Sequence, residues 1–570
     1  MIDSHFHLWT ADSSTPEKRG ERAAQVRQLT EATGVDKVCL IGDLGETVKE
    51  CRKNNQTVAK YVTEYPDLFY GWARANPQWG EDAVVEFRRA VEADGLIGLK
   101  NHFGPHDISG SDMKVSNPEF FPLAEAAADL GVPILVHVGQ REDPFPEEWP
   151  TESYTEDVVE LARRYPDLSI LAAHIGGGGD WEYRIKNIEH QENVYLDVSG
   201  SVTDAGMVEM AAEYLGVDRL VFGTDTWFLP GVGKLEGVDL TPEEKANIAY
   251  NMETLIPDDA RGKLDPSEVD RRRDAIVDHF AERAKPVEEP VIDVNAFLGE
   301  FPFRDVDASA QALLGKMDKK GVDRALVSAV EGLFYRNKQA ANEKLAERVT
   351  DHGDRLVPVA TIDPTYPAWR ADLDACRTEY GMQAVKMLPA HHDYDPADPA
   401  AKELVQACAE RDLPVILAAS VEDQRQRHPR VQLRGFEGMR SKWWSDEQAE
   451  AIIELLSDCP EADVIVADAW DNAAQITRKT TTSYADGVYL ENDARSGETL
   501  FVLDDLYLFF LHQGEEIVDE VGVDNLVCGP KLPFRVFEAH HAKTRHLPVE
   551  EDEKTRVRFG NAEALLEEES

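Results

Sequence analysis

The chain has 570 residues, enough for two domains of ordinary size. Its 60 Lys and Arg against 108 Asp and Glu give a formal charge of −48, which excludes nucleic acid and anionic membranes as partners because both would be repelled. No apolar run approaches a membrane span, and six cysteines without paired spacing lead us to expect reduced, packed thiols in a cytoplasmic protein. The first motif begins at residue 2, so no secretory leader is expected. The carboxylates are spread along helical stretches rather than gathered in a tail. That pattern predicts a halophilic surface, since a Debye length of about 3 Å at 1 M salt screens self-repulsion; an ordinary acidic enzyme is the alternative.

In chain order, short apolar strands alternate with amphipathic helices. The predicted strands are Ile2–Phe6, Lys37–Ile41, Phe69–Ala73, Leu96–Lys100, Ile134–His137, Ser169–His174, Val194–Val198 and Leu220–Thr224, with helical stretches such as Glu17–Thr33, Val48–Tyr65, Asp82–Ala93, Glu119–Leu130 and Tyr154–Tyr165 between them. Eight strand–helix units in about 260 residues predict an α/β fold of the (β/α)8, TIM-barrel type. In such a barrel the carboxyl ends of the strands form the catalytic face. His5 and His7, two residues apart on a strand, point to one face and can grip one metal ion. His137, His174 and Asp225 end the fifth, sixth and eighth strands, so all five groups meet there.

A helix from Thr241 to about Leu255 closes this barrel, over residues 1–257. A helical extension, Pro266–Ala284, and the linker Lys285-Pro286-Val287-Glu288-Glu289-Pro290 fill 258–290. The remaining residues, 291–570, then repeat the first barrel without its chemistry. Ile2-Asp3-Ser4-His5-Phe6-His7-Leu8 pairs with Ile292-Asp293-Val294-Asn295-Ala296-Phe297-Leu298, and Gly216-Val217-Asp218 pairs with Gly522-Val523-Asp524. His5 becomes Asn295, His7 becomes Phe297, His137 becomes Ala418, His174 becomes Asp468 and Asp225 becomes Lys531. A repeat that keeps the apolar strands and changes those five positions marks them as chemistry rather than scaffold.

The opening Asp3-Ser4-His5-Phe6-His7, Gly98-Leu99-Lys100, His137, His174-Ile175-Gly176-Gly177-Gly178 and Phe222-Gly223-Thr224-Asp225 together resemble the amidohydrolase-related family. That family includes metal-dependent hydrolases, lactonases and decarboxylases similar to aminocarboxymuconate-semialdehyde decarboxylase. The resemblance implies His5, His7, His137 and Asp225 as ligands of one metal, with His174 and Asp225 acting on the reaction. Three imidazoles and a carboxylate suit one divalent ion, Zn²⁺ first, with Mn²⁺ or another divalent ion as alternatives, and an open position would bring the pKa of bound water to about 7. Two-metal relatives carbamylate a lysine at the end of the fourth strand. The second half keeps that lysine, as Lys386, without any ligand, so one metal is expected, with Lys100 a structural or substrate-facing cation.

Arg74, Lys100 and His102 are the candidate substrate contacts; Arg74 suits a carboxylate or an interhelical salt bridge, while His102 and His106 lie on a loop where solvation is the commoner fate. The expected activity is hydrolysis of a C–N or C–O bond of a small anionic molecule. Non-oxidative decarboxylation on the same ligands is the alternative, and an inactive binding or regulatory protein the second. The expected partners are a small-molecule substrate and the second barrel itself, as an intramolecular pseudo-dimer, or a further copy in a homo-oligomer. Between His137 and His174 the second half is 13 residues longer, in a stretch holding Arg425, Arg427, His428, Arg430, Arg434, Arg440 and Lys442. That loop is expected to lend a cation to the first barrel's substrate.

Overall fold

In the computed structural model, all residues are described except 9–12, 14, 102–113, 140–151, 176–179, 420, 422–442, 486–487, 492–495 and 568–570. The chain divides into two compact units, Met1–Ala284 and Lys285–Ser570.

In the first unit the strands are β1 (Ile2–His7), β2 (Lys37–Ile41), β3 (Phe69–Trp72), β4 (Leu99–Asn101), β5 (Ile134–Val136), β6 (Ile170–Ala172), β7 (Val194–Asp197) and β8 (Leu220–Val221). Each pairs with its neighbour in parallel, as a run β1–β3 and a run β4–β8. A parallel bridge between Ala73 and Leu99 joins the two runs. The ring closes where Ser4 N donates to Phe222 O at 2.9 Å and Asp225 N donates to His5 O at 2.7 Å. The strands are almost wholly buried because helices cover their outer faces, which is why they read as continuous apolar runs rather than alternating ones.

Two glycines let strands pass closely at the site. A Cβ on Gly98 would lie 2.2 Å from Pro133 O, and one on Gly223 would lie 2.9 Å from Ser4 Oγ and 3.2 Å from His5 Cβ. The helix Pro266–Arg283 falls within the first unit. It buries Phe280 and Ile276 and ties back through Arg272 Nη1 to Asp36 Oδ1 at 2.8 Å.

The second unit has β9 (Ile292–Leu298), β10 (Arg324–Ala329), β11 (Leu356–Thr361), β12 (Ala384–Met387), β13 (Val415–Leu417), β14 (Val464–Val466), the antiparallel hairpin β15 (Thr482–Ala485) and β16 (Val488–Glu491), then β17 (Thr499–Val502) and β18 (Leu526–Val527). Without the hairpin these form one parallel eight-stranded sheet from β9 to β18. It closes through Val294 N to Cys528 O at 3.0 Å and Phe297 N to Leu532 O at 2.9 Å. The chain is therefore two tandem (β/α)8 barrels. Their registers agree strand by strand: Ile170 pairs with Val194 as Val464 pairs with Thr499, and Val38 pairs with Phe69 as Ala325 pairs with Leu356. Even an irregularity is shared, since β1 shifts register between Asp3 and Phe6 where its counterpart β9 also shifts against β10.

Candidate metal centre

At the carboxyl end of β1, His5 Nε2 and His7 Nε2 lie 3.1 Å apart. Asp225 brings Oδ1 to 3.3 Å from the first and 3.4 Å from the second. On its other side Asp225 Oδ2 lies 3.1 Å from His174 Nδ1. His174 and Asp225 stand just past β6 and β8 with φ of 65° and 52°, left-handed backbone that turns both side chains back over the barrel mouth. His137 is placed one imidazole further out. Its Nδ1 is 2.8 Å from His174 Nε2 and its Nε2 is 2.9 Å from Glu152 Oε1.

A buried carboxylate sets the tautomer of His5. Asp197, at the end of β7, accepts from His5 Nδ1 at 2.8 Å, from His174 N at 2.8 Å and from Ser199 Oγ at 2.5 Å. With a proton on Nδ1, His5 presents a lone pair at Nε2. Burial alone would raise the Asp197 carboxyl, but His5, Ser199 and the His174 amide together hold it below its ordinary range. Asp3 braces the opposite side, accepting from His5 N at 3.0 Å and from Thr224 Oγ1 at 2.6 Å. Lys234 clamps the segment after β7, donating to Val198 O at 2.9 Å and Gly200 O at 3.1 Å. Arg184 ties the fifth and sixth strand ends, donating to the carbonyls of His174 and Gly139.

The donor set fits a divalent ion. Burial, then the charges of His5, Lys100 and Arg74, hold His7 well below its ordinary pKa, and burial and His137 do the same to His174. Neutral imidazoles with lone pairs are the ligating form. Among the described residues two overlapping groups have one ligand atom each within 4.8 Å of one another: His5, His7 and Asp225, and His5, His174 and Asp197. Both lie in the first barrel.

Two buried basic side chains adjoin this group. Lys100 is 1% exposed and its Nζ has no hydrogen-bond partner, while burial lowers its pKa to about 7 against the opposing pull of Asp225 and Asp197. Arg74 is 4% exposed and donates from Nη1 to Gly42 O at 3.1 Å. His102, His106, Gly176–Gly179 and the basic stretch from Arg425 to Lys442 lie outside the described residues.

Asp197, Ser199, Glu152, Arg184 and Lys234 were not anticipated from sequence. Asp197 carried a usable signal, because it ends an apolar strand and its register counterpart in the second half is Val502. Glu152 sits in an acid-rich stretch that singles out no carboxylate.

At the corresponding places in the second barrel, Lys531 Nζ lies 2.5 Å from Asp468 Oδ1 and 3.2 Å from Asp505 Oδ1. Lys386 Nζ donates to Asn295 Oδ1 at 2.6 Å and sits 4.1 Å over the Phe297 ring.

The family model described as amidohydrolase matches residues 2–273 and again residues 259–567, so the chain belongs to the amidohydrolase family. A curated relative, 2-amino-3-carboxymuconate-6-semialdehyde decarboxylase of Dictyostelium discoideum, is 28% identical over 183 residues, covering 29% of this chain and 48% of the relative. The chain thus spans about half the length of that relative. Among solved structures, 2,6-dihydroxybenzoate decarboxylase from Rhizobium is 16% identical, covering 45% of this chain and 97% of its own, with a TM-score of 0.35. A manganese complex of 5-carboxyvanillate decarboxylase from Novosphingobium aromaticivorans is 18% identical, covering 45% of this chain and 95% of its own, with a TM-score of 0.34. No helix among the described residues is long and apolar enough to cross a membrane.

Proposed function

We propose that the first barrel is a metal-dependent, non-oxidative decarboxylase of a small carboxylic acid. The observation that carries this reading is the arrangement about Asp225: two imidazole nitrogens face one oxygen, His174 Nδ1 lies 3.1 Å from the other, and the unpaired Lys100 amine belongs to the same mouth. His5, His7 and Asp225 would hold the ion, with His137 the fourth ligand expected from sequence. A bound divalent ion would supply Lewis-acid polarisation of a substrate oxygen.

Loss of CO2 breaks a C–C bond and leaves its electron pair on carbon, which must then take up a proton. His174 is the group placed to deliver it, held by Asp225 and by Ser199 Oγ at 3.3 Å. Lys100 and Arg74 favour an anionic substrate. The relative at 28% identity is named for a decarboxylation, which supports this reading over the hydrolysis ranked first from sequence.

The test is CO2 release by Mn²⁺- or Zn²⁺-loaded protein from a panel of hydroxybenzoates and unsaturated carboxylic acids, run beside lactones and amides. CO2 in step with product is expected, and its loss in His174→Asn with metal retained. Turnover of lactones or amides, with no CO2 from any acid, would establish hydrolysis instead.

A further inference from the structure

His137 meets a carboxylate that arrives from further along the chain, and the backbone shows how it is delivered. Just past β5, Val138 and Ser153 form a parallel bridge, and Gly139 N donates to Ser153 O at 2.8 Å. Ser153 is tied from a second direction, its Oγ accepting from Val115 N at 3.0 Å. Backbone pairing at the barrel mouth therefore sets the place of Glu152, whose Oε1 lies 2.9 Å from His137 Nε2.

Gly139 makes that approach possible. A Cβ there would lie 1.9 Å from Glu152 Oε2 and 2.6 Å from its Cδ, so the carboxylate fills the space that any other side chain at 139 would need. Arg184 fastens the same glycine, donating to its carbonyl at 2.9 Å, and donates to the carbonyl of His174 as well. The tautomer of His137 follows from the contact. A carboxylate beside Nε2 takes the proton there, and the neutral ring keeps its lone pair on Nδ1, the atom that lies 2.8 Å from His174 Nε2. Asp197 does the reverse for His5, holding Nδ1 and freeing Nε2.

We propose that Glu152 is a positioning residue of the metal centre: held by the Val138–Ser153 pairing and seated in the space left by Gly139, it fixes the ring orientation and the tautomer of His137. The proposal rests on the metal-dependent reading above, in which His137 is the fourth ligand. Glu152 acts through that ring alone and touches neither ion nor substrate. An anionic partner on the far nitrogen of a ligating imidazole orients the ring and raises its basicity, so the effect is read in metal affinity.

The test measures Mn²⁺ and Zn²⁺ affinity of the full-length protein by competition with a chromophoric chelator. Glu152→Ala is expected to weaken binding about 10- to 100-fold, with the metal-free protein melting as before. Glu152→Gln, whose amide oxygen still accepts from Nε2, should recover most of the loss, whereas Glu152→Asp, one methylene short, should not. Gly139→Ala displaces the carboxylate without altering it and should match Glu152→Ala, and the double variant should be no weaker than either alone, because there is one interaction to lose. In a His137→Ala background, Glu152→Ala should weaken binding no further. Affinity unchanged in Glu152→Ala, losses that multiply in the Gly139 double variant, or a further loss without His137 each overturn the proposal. An unmodified protein that takes up no ion removes the metal-dependent reading and this proposal together, a result distinct from tight binding that ignores Glu152.

Discussion

Lys531 Nζ lies 2.5 Å from Asp468 Oδ1 in the second barrel, at the two positions that carry Asp225 and His174 in the first. All four residues have left-handed backbone, with φ of 58° and 60° in the second barrel against 52° and 65° in the first. The strained turns were conserved while the side chains exchanged charge. An ammonium now ties the ends of β14 and β17, through Asp468 and Asp505, at the level where the first barrel gathers its metal donors. Lys531→Met would leave two buried carboxylates without their cation. The expected loss is about 3–5 kcal/mol from the second barrel. Hydrogen exchange at β14 and β17 should speed up while β1–β8 stay protected; a loss below about 1 kcal/mol would count against the ammonium as a tie.

Asp197 and His5 predict a metal-affinity effect from a residue that is not itself needed as a ligand. Asp197→Asn keeps the volume but replaces one acceptor by a donor, so His5 can protonate Nε2 and withdraw its lone pair. Metal affinity should fall about 10- to 100-fold, read by competition with a chromophoric chelator. His5→Ala, His7→Ala and Asp225→Ala should abolish binding, from about one divalent ion per chain in the unmodified protein by elemental analysis. Full activity in thoroughly demetallated protein would falsify the metal assignment.

Asp293, the counterpart of Asp3, predicts a pH dependence of stability. Burial raises its pKa from 3.8 to about 7, although Leu532 N and Asn295 N both donate to it. Between those values the folded chain holds a proton that the unfolded chain has lost. Asp293 therefore contributes fully below about pH 4, and its contribution falls as pH rises to about 7, then stays flat. The difference in unfolding free energy between the unmodified protein and Asp293→Asn should fall across that window. A difference constant from pH 4 to 8 would show that Asp293 titrates normally.

The charge of −48 predicts a salt effect. Screening of carboxylate repulsion should raise the melting temperature steeply between low salt and molar KCl. A flat profile in calorimetric scans would place the protein among ordinary acidic enzymes.

Much of the fold was legible because it is local. A strand such as Ile134-Leu135-Val136 declares itself by apolar character, and the polar residue that follows declares the barrel mouth. Repetition supplied the rest, since Asn295 against His5 and Lys531 against Asp225 can be read by aligning the chain with itself. Asp197 could have been read in the same way, through Val502. That needs the strand register, and the offset between halves drifts with every loop, so the pairing is secure only when the sheets are in hand.

Sequence alone determined that the chain holds two (β/α)8 units, that five metal-type groups end strands of the first, and that the second has exchanged them. Those properties follow from periodicity, residue type and internal repetition, all carried by neighbours in the chain. Tertiary structure alone decided which nitrogen of His5 faces inward, because its partner Asp197 stands 192 residues away and meets it only when the ring of strands closes. It alone separated Lys100 from Lys386, two lysines on matching strands, since only packing shows that one amine is paired and the other is not. A hydrogen bond depends on positions within a few tenths of an ångström, and those are set by the closure of the whole barrel rather than by any stretch of it.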